Sequence, residues 1–281
     1  VTNIEDDHMD HYGSMENIIK AFIQFVQNLD KENGLAILCF DNENIRNIAP
    51  QLDRRYISYA LEHEADYTAA DIVADGPQTT FTVVYKGEKL GAVTLNIPGR
   101  HNVLNALATI AVCHKLGLSI EAIAAGFAVF TGTKRRFQTK FRNDDVWIVD
   151  DYAHHPTEIQ TTIKAARQTN PKRLVVAFQP HRYTRTQLLR KEFGSCFKGA
   201  DVLILTDIYA ASEEPIPGIS GRTIVDEVKA QTGVDAVYIE KLADIAPWLE
   251  QNRRKGDLII TMGAGNIYTV GETLADGLKH E

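Results

Sequence analysis

The spacing of hydrophobic positions changes along the first half of the chain. Apolar residues recur every three or four positions from Ser14 to Leu29, which predicts an amphipathic helix with Ser14 as its N-cap. The segment 103–116 is apolar on nearly every side, so we expect a helix enclosed by protein all round, and 119–127 predicts a shorter helix. The runs before these two helices are short and rich in β-forming residues, and turn signals favour antiparallel pairing of the later ones. These predicted strands are 35–40, 55–59, 66–73, 79–85 and 89–97.

From about Thr131 onward, strand-like and helix-like segments alternate regularly. Such alternation builds a parallel sheet, because right-handed crossovers place the helices over both of its faces. We therefore predict an α/β protein with two domains, residues 1–132 and residues 133–281. The predicted strands of the second domain are 146–150, 174–178, 202–205, 236–239 and 258–261, and its helices begin at Pro156, at Thr184, at Ser220, near Leu242 and after the fifth strand.

The composition is that of an ordinary globular protein. Of 281 residues, 44% are hydrophobic and 24% charged, which excludes intrinsic disorder, and the net charge of −7 predicts no general affinity for nucleic acid or an anionic membrane. No apolar run approaches about 18 residues and the start is acidic, so neither a membrane span nor a signal peptide is predicted. Cys39, Cys113 and Cys196 lie far apart in apolar runs, which predicts buried free thiols and a cytoplasmic location. Val1 in place of an initiating Met suggests part of a longer protein.

Polar residues follow four predicted strands of the second domain. Ligands bind beyond the carboxyl ends of the strands in open α/β sheets, so we expect these loops to line one crevice. Their acidic, imidazole and guanidinium groups would suit an anionic substrate with a carboxylate or a phosphate. The alternative is that the aspartates and histidines only cap the next helices, with Pro156 in a first turn. The loops are 150–158, 179–186, 207–209 and 263–266.

Other segments carry candidate chemistry, most of them with a plain structural alternative. The acidic, histidine-containing segment 5–13 could hold a divalent cation or be a solvated loop. Segment 98–105 could hydrogen-bond a purine or a phosphate, or simply cap a helix through Asn102. The cations at 134–136 could bind a polyphosphate or form an exposed basic turn. Gly-Ala-Gly at 263–265 resembles a dinucleotide fingerprint, but it follows the last strand and lacks the third glycine, which argues against an NAD site.

Five motifs, taken in order, closely resemble the Mur ligases and together span essentially the whole chain. Five motifs in register are far more specific than any one of them, and the run from His181 to Thr186 favours the alanine-adding branch of the family. The motifs are Thr-Asn-Ile-Glu at 2–5 with Asp-His-Met-Asp at 7–10, Pro-Gly-Arg-His-Asn at 98–102 with Asn105, Gly132 with Arg-Arg-Phe at 135–137, Asp-Asp-Tyr-Ala-His-His-Pro at 150–156, and Phe-Gln-Pro-His-Arg-Tyr-Thr-Arg-Thr at 178–186.

The resemblance implies both a fold and a reaction. The family has a UDP-sugar domain, a central ATPase domain and a carboxy-terminal domain, and this chain would hold the later part of the central domain followed by a doubly wound, Rossmann-like carboxy-terminal domain. The implied reaction is ATP- and Mg²⁺-dependent ligation of L-alanine to UDP-N-acetylmuramate in peptidoglycan precursor synthesis. The muramoyl carboxylate would become an acyl phosphate, and the amine of alanine would then expel phosphate. Phosphoryl transfer of this kind requires mainly positioning and charge stabilisation.

The resemblance also implies roles for individual residues. His8 would be a Mg²⁺ ligand, Asn102 and Asn105 would lie at the adenine, and Arg136 with Asp151 would contact the phosphate and ribose of ATP. The motifs alone leave open which of His154 and His155, and which of Arg135 and Arg136, faces the site. The strand-end residues implied to position the amino acid and the intermediate are Tyr152, His154, His181, Arg182 and Arg185.

One departure from the family pattern is large, because no G-x-x-x-x-G-K-[ST] phosphate loop occurs in these residues. We therefore expect this chain by itself to bind nucleotide weakly and not to turn over ATP, since the β- and γ-phosphates have no cradle. Three alternatives stay open, and two of them are a non-catalytic nucleotide-binding module and a murein-tripeptide recycling ligase. A third is a zinc hydrolase built on Asp7, His8, Asp10, His11, His154 and His155.

Overall fold

The protein divides into two compact units, which are described here separately. The structure, a computed structural model, describes residues 1–6 and 9–280, without the side chain of residue 10. Unit 1 comprises Val1–Asn96 and Arg100–Phe130, and unit 2 comprises Ile97–Gly99 and Thr131–Glu281. Among the helices that the structure describes, none is both long enough and apolar enough to cross a lipid bilayer.

Unit 1 combines helices with one five-stranded sheet. Its elements are α1 (Met9–Tyr12), α2 (Met15–Gln27), β1 (Ala36–Cys39), α3 (Glu43–Ile48), β2 (Tyr56–Tyr59), β3 (Tyr67–Asp75), β4 (Gln78–Tyr85), β5 (Glu88–Leu95), α4 (Arg100–Lys115) and α5 (Ile120–Val129). The strands lie in the order β1-β2-β3-β4-β5. The first three are parallel, whereas β3, β4 and β5 pair antiparallel, as the turn signals predicted. Ser14 caps α2 by accepting a hydrogen bond from the backbone N–H of Asn17, which confirms the predicted N-cap.

The expectation that the helix at 103–116 is enclosed all round was wrong. The buried positions of α4 follow a helical period, so a single face of this helix packs inward. On the remaining surface, Val112 is 45% exposed, and Leu116, which directly follows the helix, is 75% exposed. The segment is rich in small apolar residues on every side, and that composition does not reveal which face the sheet covers. The buried positions are Val103, Ala106, Leu107, Ile110 and Ala111.

The three cysteines are free, but they differ in burial. Cys39 and Cys196 are buried as predicted, and burial raises the pKa of both thiols. Cys113 is only partly buried, so the prediction of three buried thiols was wrong for this residue.

Unit 2 is an α/β unit with a six-stranded sheet. Its elements are β6 (Gln138–Arg142), β7 (Val146–Asp151), α6 (Pro156–Gln168), β8 (Arg173–Phe178), α7 (Tyr183–Leu188), α8 (Arg190–Cys196), β9 (Val202–Leu205), α9 (Gly221–Gln231), β10 (Asp235–Tyr238), α10 (Ile245–Asn252), β11 (Asp257–Met262) and α11 (Tyr268–Lys279). The strand order is β10-β9-β8-β11-β7-β6, and all pairs are parallel except β6 with β7. The predicted alternation of strands and helices is confirmed. The sequence prediction missed β6 and the division of the helix after β8 into α7 and α8.

The sheet of unit 2 buries both of its faces, which is why its strands are almost continuously apolar. On one face, Val176 packs into a core with residues of α6, α8 and α9. On the other, the neighbouring Val175 packs with residues of α10 and α11. A fully buried side chain of this size contributes about 1.5–3 kcal/mol relative to an exposed one. The two cores together hold the carboxyl ends of the strands in place.

A pair of glycine substitutions tests the packing of unit 2. A Cβ added to Gly221, the first residue of α9, would collide with the backbone carbonyl of Thr206, whereas Gly277 in α11 has open space. We expect Gly221→Ala to lower the free energy of unfolding by about 1–3 kcal/mol through overpacking. Gly277→Ala should raise it by about 0.5–1 kcal/mol, because alanine favours a helix.

Urea unfolding followed by tryptophan fluorescence provides the measurement. Both tryptophans, Trp147 and Trp248, lie in unit 2, so the signal reports on this unit. Equal effects of the two substitutions would contradict the described packing at Gly221.

Candidate functional site

Four parallel strands of unit 2 end at the same level. Register pairs Asp151 of β7 with Met262 of β11, and Met262 with Phe178 of β8. Phe178 is in turn paired with Leu205 of β9. The residues that follow these strands therefore share one edge of the sheet, the edge at which α/β proteins bind ligands. We call this group of loops the strand-end site.

The two adjacent histidines in the loop after β7 make different contacts. His155 is the N-cap of α6, where its Nδ1 accepts a hydrogen bond from the backbone N–H of Thr157. His154 instead lies 3.0 Å through Nδ1 from the carbonyl oxygen of Tyr152, and its ring meets the Tyr152 ring edge-on at 5.3 Å. The Glu158 carboxylate accepts hydrogen bonds from both backbone amides of the pair. Of the two histidines, His154 is thus the one whose ring is available to the strand-end site, because His155 caps α6.

His181, after β8, lies at the centre of a row of rings. Its ring centroid is 5.8 Å from that of His154 and 5.7 Å from that of Tyr209, on which it stacks at an interplanar angle of 12°. Its Nδ1 lies 3.5 Å from the Nη1 donor of Arg185. Burial lowers the pKa of His181 to about 4, and repulsion from His154, Arg185 and Arg182 adds to this effect. The imidazole of His181 is therefore neutral near pH 7.

Backbone pairing continues beyond the ends of β8 and β9 and fixes this stack. The N–H of Arg182 donates to the carbonyl of Tyr209, and the N–H of Tyr209 donates to the carbonyl of Pro180, each over 2.9 Å. Arg182 has a φ of +70°. Residues other than glycine adopt this backbone conformation only at a cost of about 1–3 kcal/mol. The two hydrogen bonds hold this conformation immediately before α7.

Sequence reasoning missed Glu213, which lies in the loop after β9. Its carboxylate accepts hydrogen bonds from the backbone N–H of Thr184 at 3.0 Å and from the Thr184 hydroxyl at 2.5 Å. The contact joins the loop after β9 to the first turn of α7. No local motif indicates it, because the partners are separated by 29 residues.

The structure also distinguishes the two arginines that precede β6. The Arg135 guanidinium donates to the buried carboxylate of Asp150 and to the carbonyl oxygens of Gly263 and Gly265. Arg136 is 55% exposed, and its Nη1 lies 3.7 Å from a carboxylate oxygen of Glu158. Arg136 is therefore the more accessible cation, while Arg135 is part of the framework.

Asp151 is largely occupied by the backbone around it. One carboxylate oxygen accepts a hydrogen bond from the N–H of Phe137 and the other from the N–H of Ala153, each over 2.8 Å. Burial raises the pKa of this carboxyl, and the two amide donors oppose that effect. Contact between Asp151 and a ribose stays a prediction.

The remaining predicted residues lie in the amino-terminal half of the chain. Asn102 and Asn105 are in the first two turns of α4 in unit 1, Asn102 partly buried and Asn105 exposed. Asn102 lies inside the helix, so the alternative reading of this residue as a helix cap was wrong. His8 lies outside the described residues, and its role as a Mg²⁺ ligand stays a prediction.

Two alternative interpretations gain no support from the described residues. Among the side chains that the structure describes, no group of three or more His, Cys, Asp and Glu residues is arranged to hold a metal ion, and Asp7, His8 and Asp10 of the proposed zinc set are not among these side chains. The glycines after β11 have a packing explanation. A Cβ at Gly263 would approach the carbonyl of Gln179, and one at Gly265 would collide with Gln179 and Tyr209. Close packing therefore accounts for both glycines without an NAD site.

Comparisons with known proteins show which family this chain resembles. The Mur ligase middle domain matches residues 1–113, and the Mur ligase, glutamate ligase domain matches residues 135–265. The UDP-N-acetylmuramate–L-alanine ligase of Trichlorobacter lovleyi is 48% identical over 280 residues, 99% of this chain and 61% of that protein. The ligase of the same name from Myxococcus xanthus is 41% identical over 279 residues, 99% of this chain and 59% of that protein. The chain thus spans about 60% of the length of these curated relatives.

Solved structures show the same fold. The UDP-N-acetylmuramate-alanine ligase MurC from Thermotoga maritima superposes with a TM-score of 0.80 at 26% identity, covering 98% of this chain and 58% of that chain. The MurF ligase from Thermotoga maritima, in complex with ADP, gives a TM-score of 0.77 at 20% identity, covering 99% of this chain and 61% of that chain. The predicted α/β fold with mainly parallel strands is confirmed.

Titration of His181 tests the electrostatics of the ring row. In the 281-residue chain, side-chain NMR should show His181 titrating near pH 4. His154→Gln should raise this pKa, because it removes a neighbouring ring that shields His181 from water and repels its protonated form. His155→Gln is the matched control and should leave the pKa of His181 unchanged, since His155 caps α6 instead.

The lowered pKa of His181 also makes the stability of the protein depend on pH. The unfolded chain takes up this proton near pH 6.5, before the folded protein does. The contribution of His181 to the free energy of unfolding is therefore fully present above about pH 6.5 and is lost progressively as the pH falls towards 4. Titration of His181 near pH 6.5 in the folded chain would contradict both expectations.

Proposed function

The chain belongs to the Mur ligase family, and on that basis we propose that it is part of an ATP-dependent ligase that joins L-alanine to UDP-N-acetylmuramate. The proposal extends to the domain organisation. Residues 1–132 would be the later part of the central ATP-binding domain, and residues 133–281 the carboxy-terminal ligase domain. The family matches at 1–113 and 135–265 support this division.

The observation that carries the proposal is the chemistry of the strand-end site. Two guanidiniums, Arg182 and Arg185, lie beside a row of rings in which His181 is neutral near pH 7. Guanidinium groups bind carboxylates and phosphates through paired hydrogen bonds. A neutral imidazole can meet the amino group of an amino acid without repelling it. This combination suits an α-amino acid next to a phosphorylated acyl group.

Each part of the site then has a task in amide formation. Arg182 and Arg185 would stabilise the carboxylate of the incoming amino acid and the negative charge that develops on the intermediate. Tyr152 and His154 would orient the amine, and the stack of His181 on Tyr209 would limit the room available for a side chain. A small substituent such as the methyl group of alanine fits such a limit.

The cofactors follow from the family and from the chemistry of the residues present. ATP supplies the activated phosphoryl group. Arg136 carries an exposed guanidinium that suits a phosphate, and the exposed amide of Asn105 suits an adenine edge. We propose Asn102 and Asp151 as further nucleotide contacts and His8 as a Mg²⁺ ligand. A cytoplasmic location, where ATP and UDP-linked sugars occur together, completes the proposal.

A ligase assay tests the function. The protein expressed from its complete reading frame is mixed with ATP, Mg²⁺, UDP-N-acetylmuramate and either L-alanine or a murein tripeptide, and the products are identified by mass spectrometry. We expect the alanine adduct together with ADP and phosphate. Arg185→Gln should lower kcat/KM for L-alanine by about 10- to 100-fold, because hydrogen bonds to a charged group contribute about 1.5–3 kcal/mol.

Arg190→Gln is the matched control for this experiment. Arg190 begins the next helix and pairs with Glu227 at a half-exposed position, so its loss should change kcat/KM less than about threefold. Ligation of the tripeptide instead of L-alanine would identify a recycling ligase. ADP binding without any ligation would indicate a non-catalytic nucleotide-binding module.

A further inference from the structure

We propose that Arg135 is a positioning residue that holds Tyr152 and the loop after β11 in the arrangement the strand-end site needs to bind its amino acid. The inference rests on the proposed function for the identity of the ligand. Arg135 is one of the two adjacent arginines between which the motifs left the choice open.

The Arg135 guanidinium ties together three segments of unit 2. Its Nε donates to Asp150 Oδ2 at 3.0 Å, at the end of β7. Its Nη1 and Nη2 donate to the carbonyl oxygens of Gly265 and Gly263, at 3.1 and 2.6 Å. Asp150 is fully buried, and its other oxygen accepts a hydrogen bond from the hydroxyl of Thr261 at 2.8 Å. The buried carboxylate of Asp150 therefore fixes the position of the guanidinium.

Two aromatic rings complete the surroundings of this side chain. The guanidinium carbon lies 4.9 Å from the ring centroid of Tyr152 and 4.8 Å from that of Tyr268. The backbone is engaged as well, because the N–H of Tyr152 donates to the carbonyl of Arg135 at 2.7 Å. Tyr152 is thus held by Arg135 at both its backbone and its ring, and Tyr152 in turn contacts His154.

The loop after β11 transmits the same constraint to the other side of the site. Gly265, whose carbonyl Arg135 binds, lies so close to Gln179 and Tyr209 that a Cβ at this position would collide with both. The side-chain amide of Gln179 holds this loop through two hydrogen bonds. It donates to Asn266 Oδ1 at 2.9 Å and accepts from the backbone N–H of Ile267 at 3.1 Å. Movement of this loop would therefore move Tyr209, which stacks on His181.

Lysine cannot replace this arginine, because its ammonium is a compact charge without the planar, fixed donor directions of a guanidinium. An ammonium near Asp150 would keep the ion pair but would lose the donors directed at Gly263 and Gly265. The substitution Arg135→Lys therefore keeps the buried charge balanced while it releases the loop.

The chain provides a matched control in the same sheet. Arg173 donates to both oxygens of Asp257, at 2.9 and 2.6 Å, and Asp257 is also buried. This pair lies where β8 and β11 begin, at the edge opposite the strand-end site. Arg173→Lys should therefore cost similar stability without altering the loops that bind the ligand.

The experiment compares the two lysine variants in the complete protein. We expect thermal unfolding to show similar losses of stability for both. Only Arg135→Lys should raise KM for L-alanine, by at least about tenfold, because hydrogen bonds at the carbonyls of Gly263 and Gly265 are lost. Its kcat should fall less than KM rises, since the side chain holds the binding loops and does not touch the reacting atoms. Tyr268→Leu, which keeps all three hydrogen bonds, should raise KM by roughly 2- to 5-fold.

Hydrogen exchange in the 281-residue chain supplies a readout that needs no activity. In Arg135→Lys, the amides of Tyr152 and Gly263 should exchange at least about tenfold faster, because each reports on a segment that Arg135 holds. In Arg173→Lys they should exchange at the wild-type rate. Unchanged exchange in Arg135→Lys, or an equal rise in KM in both variants, would overturn the inference. A wild-type protein without ligase activity would overturn the proposed function instead, and the exchange rates would still test the positioning role.

Discussion

Parallel pairing in register brings the carboxyl ends of β7, β11, β8 and β9 to one level, and every other feature of the site depends on it. Hydrogen bonds continue past the strand ends, where Gly263 donates to the carbonyl of Asp151 and Gln179 to that of Met262. Backbone groups at the end of a buried sheet need partners, and here the first residues of the loops supply them. The loops therefore begin in fixed directions. These directions bring the side chains of the loops together, although the loops themselves are neither helix nor strand.

The two arginines that precede β6 each lie beside a carboxylate. Arg135 lies on a buried carboxylate between two aromatic rings, whereas the more exposed Arg136 lies near Glu158. His181 stays uncharged because burial and nearby positive groups both disfavour its protonated form. Positive charge is thus concentrated on arginines, which do not lose their proton, while the imidazole keeps hydrogen-bonding capacity without adding a further charge.

Much of the fold could be predicted from the sequence because periodicity and turn residues are local signals. The alternation after Thr131 and the N-cap at Ser14 are of this kind. The enclosure of α4 was predicted wrongly, since apolar composition around a helix does not say which face meets a sheet. Choices between adjacent residues, such as His154 and His155, depend on which side chain caps the next helix. The contacts of Arg135 and Glu213 join segments far apart in the chain, so no local pattern could reveal them.

The backbone conformation of Arg182 sets stability against the binding role proposed for this residue. Glycine adopts a φ of +70° without strain, so a library screened only for thermostability would be expected to enrich the substitution Arg182→Gly. Such a variant would lose backbone strain at the same position where it loses a guanidinium. If Arg182 binds the amino acid as proposed, selection for stability alone at this position would favour variants with weaker ligand binding, so stability and binding would have to be measured together in any engineering of this domain.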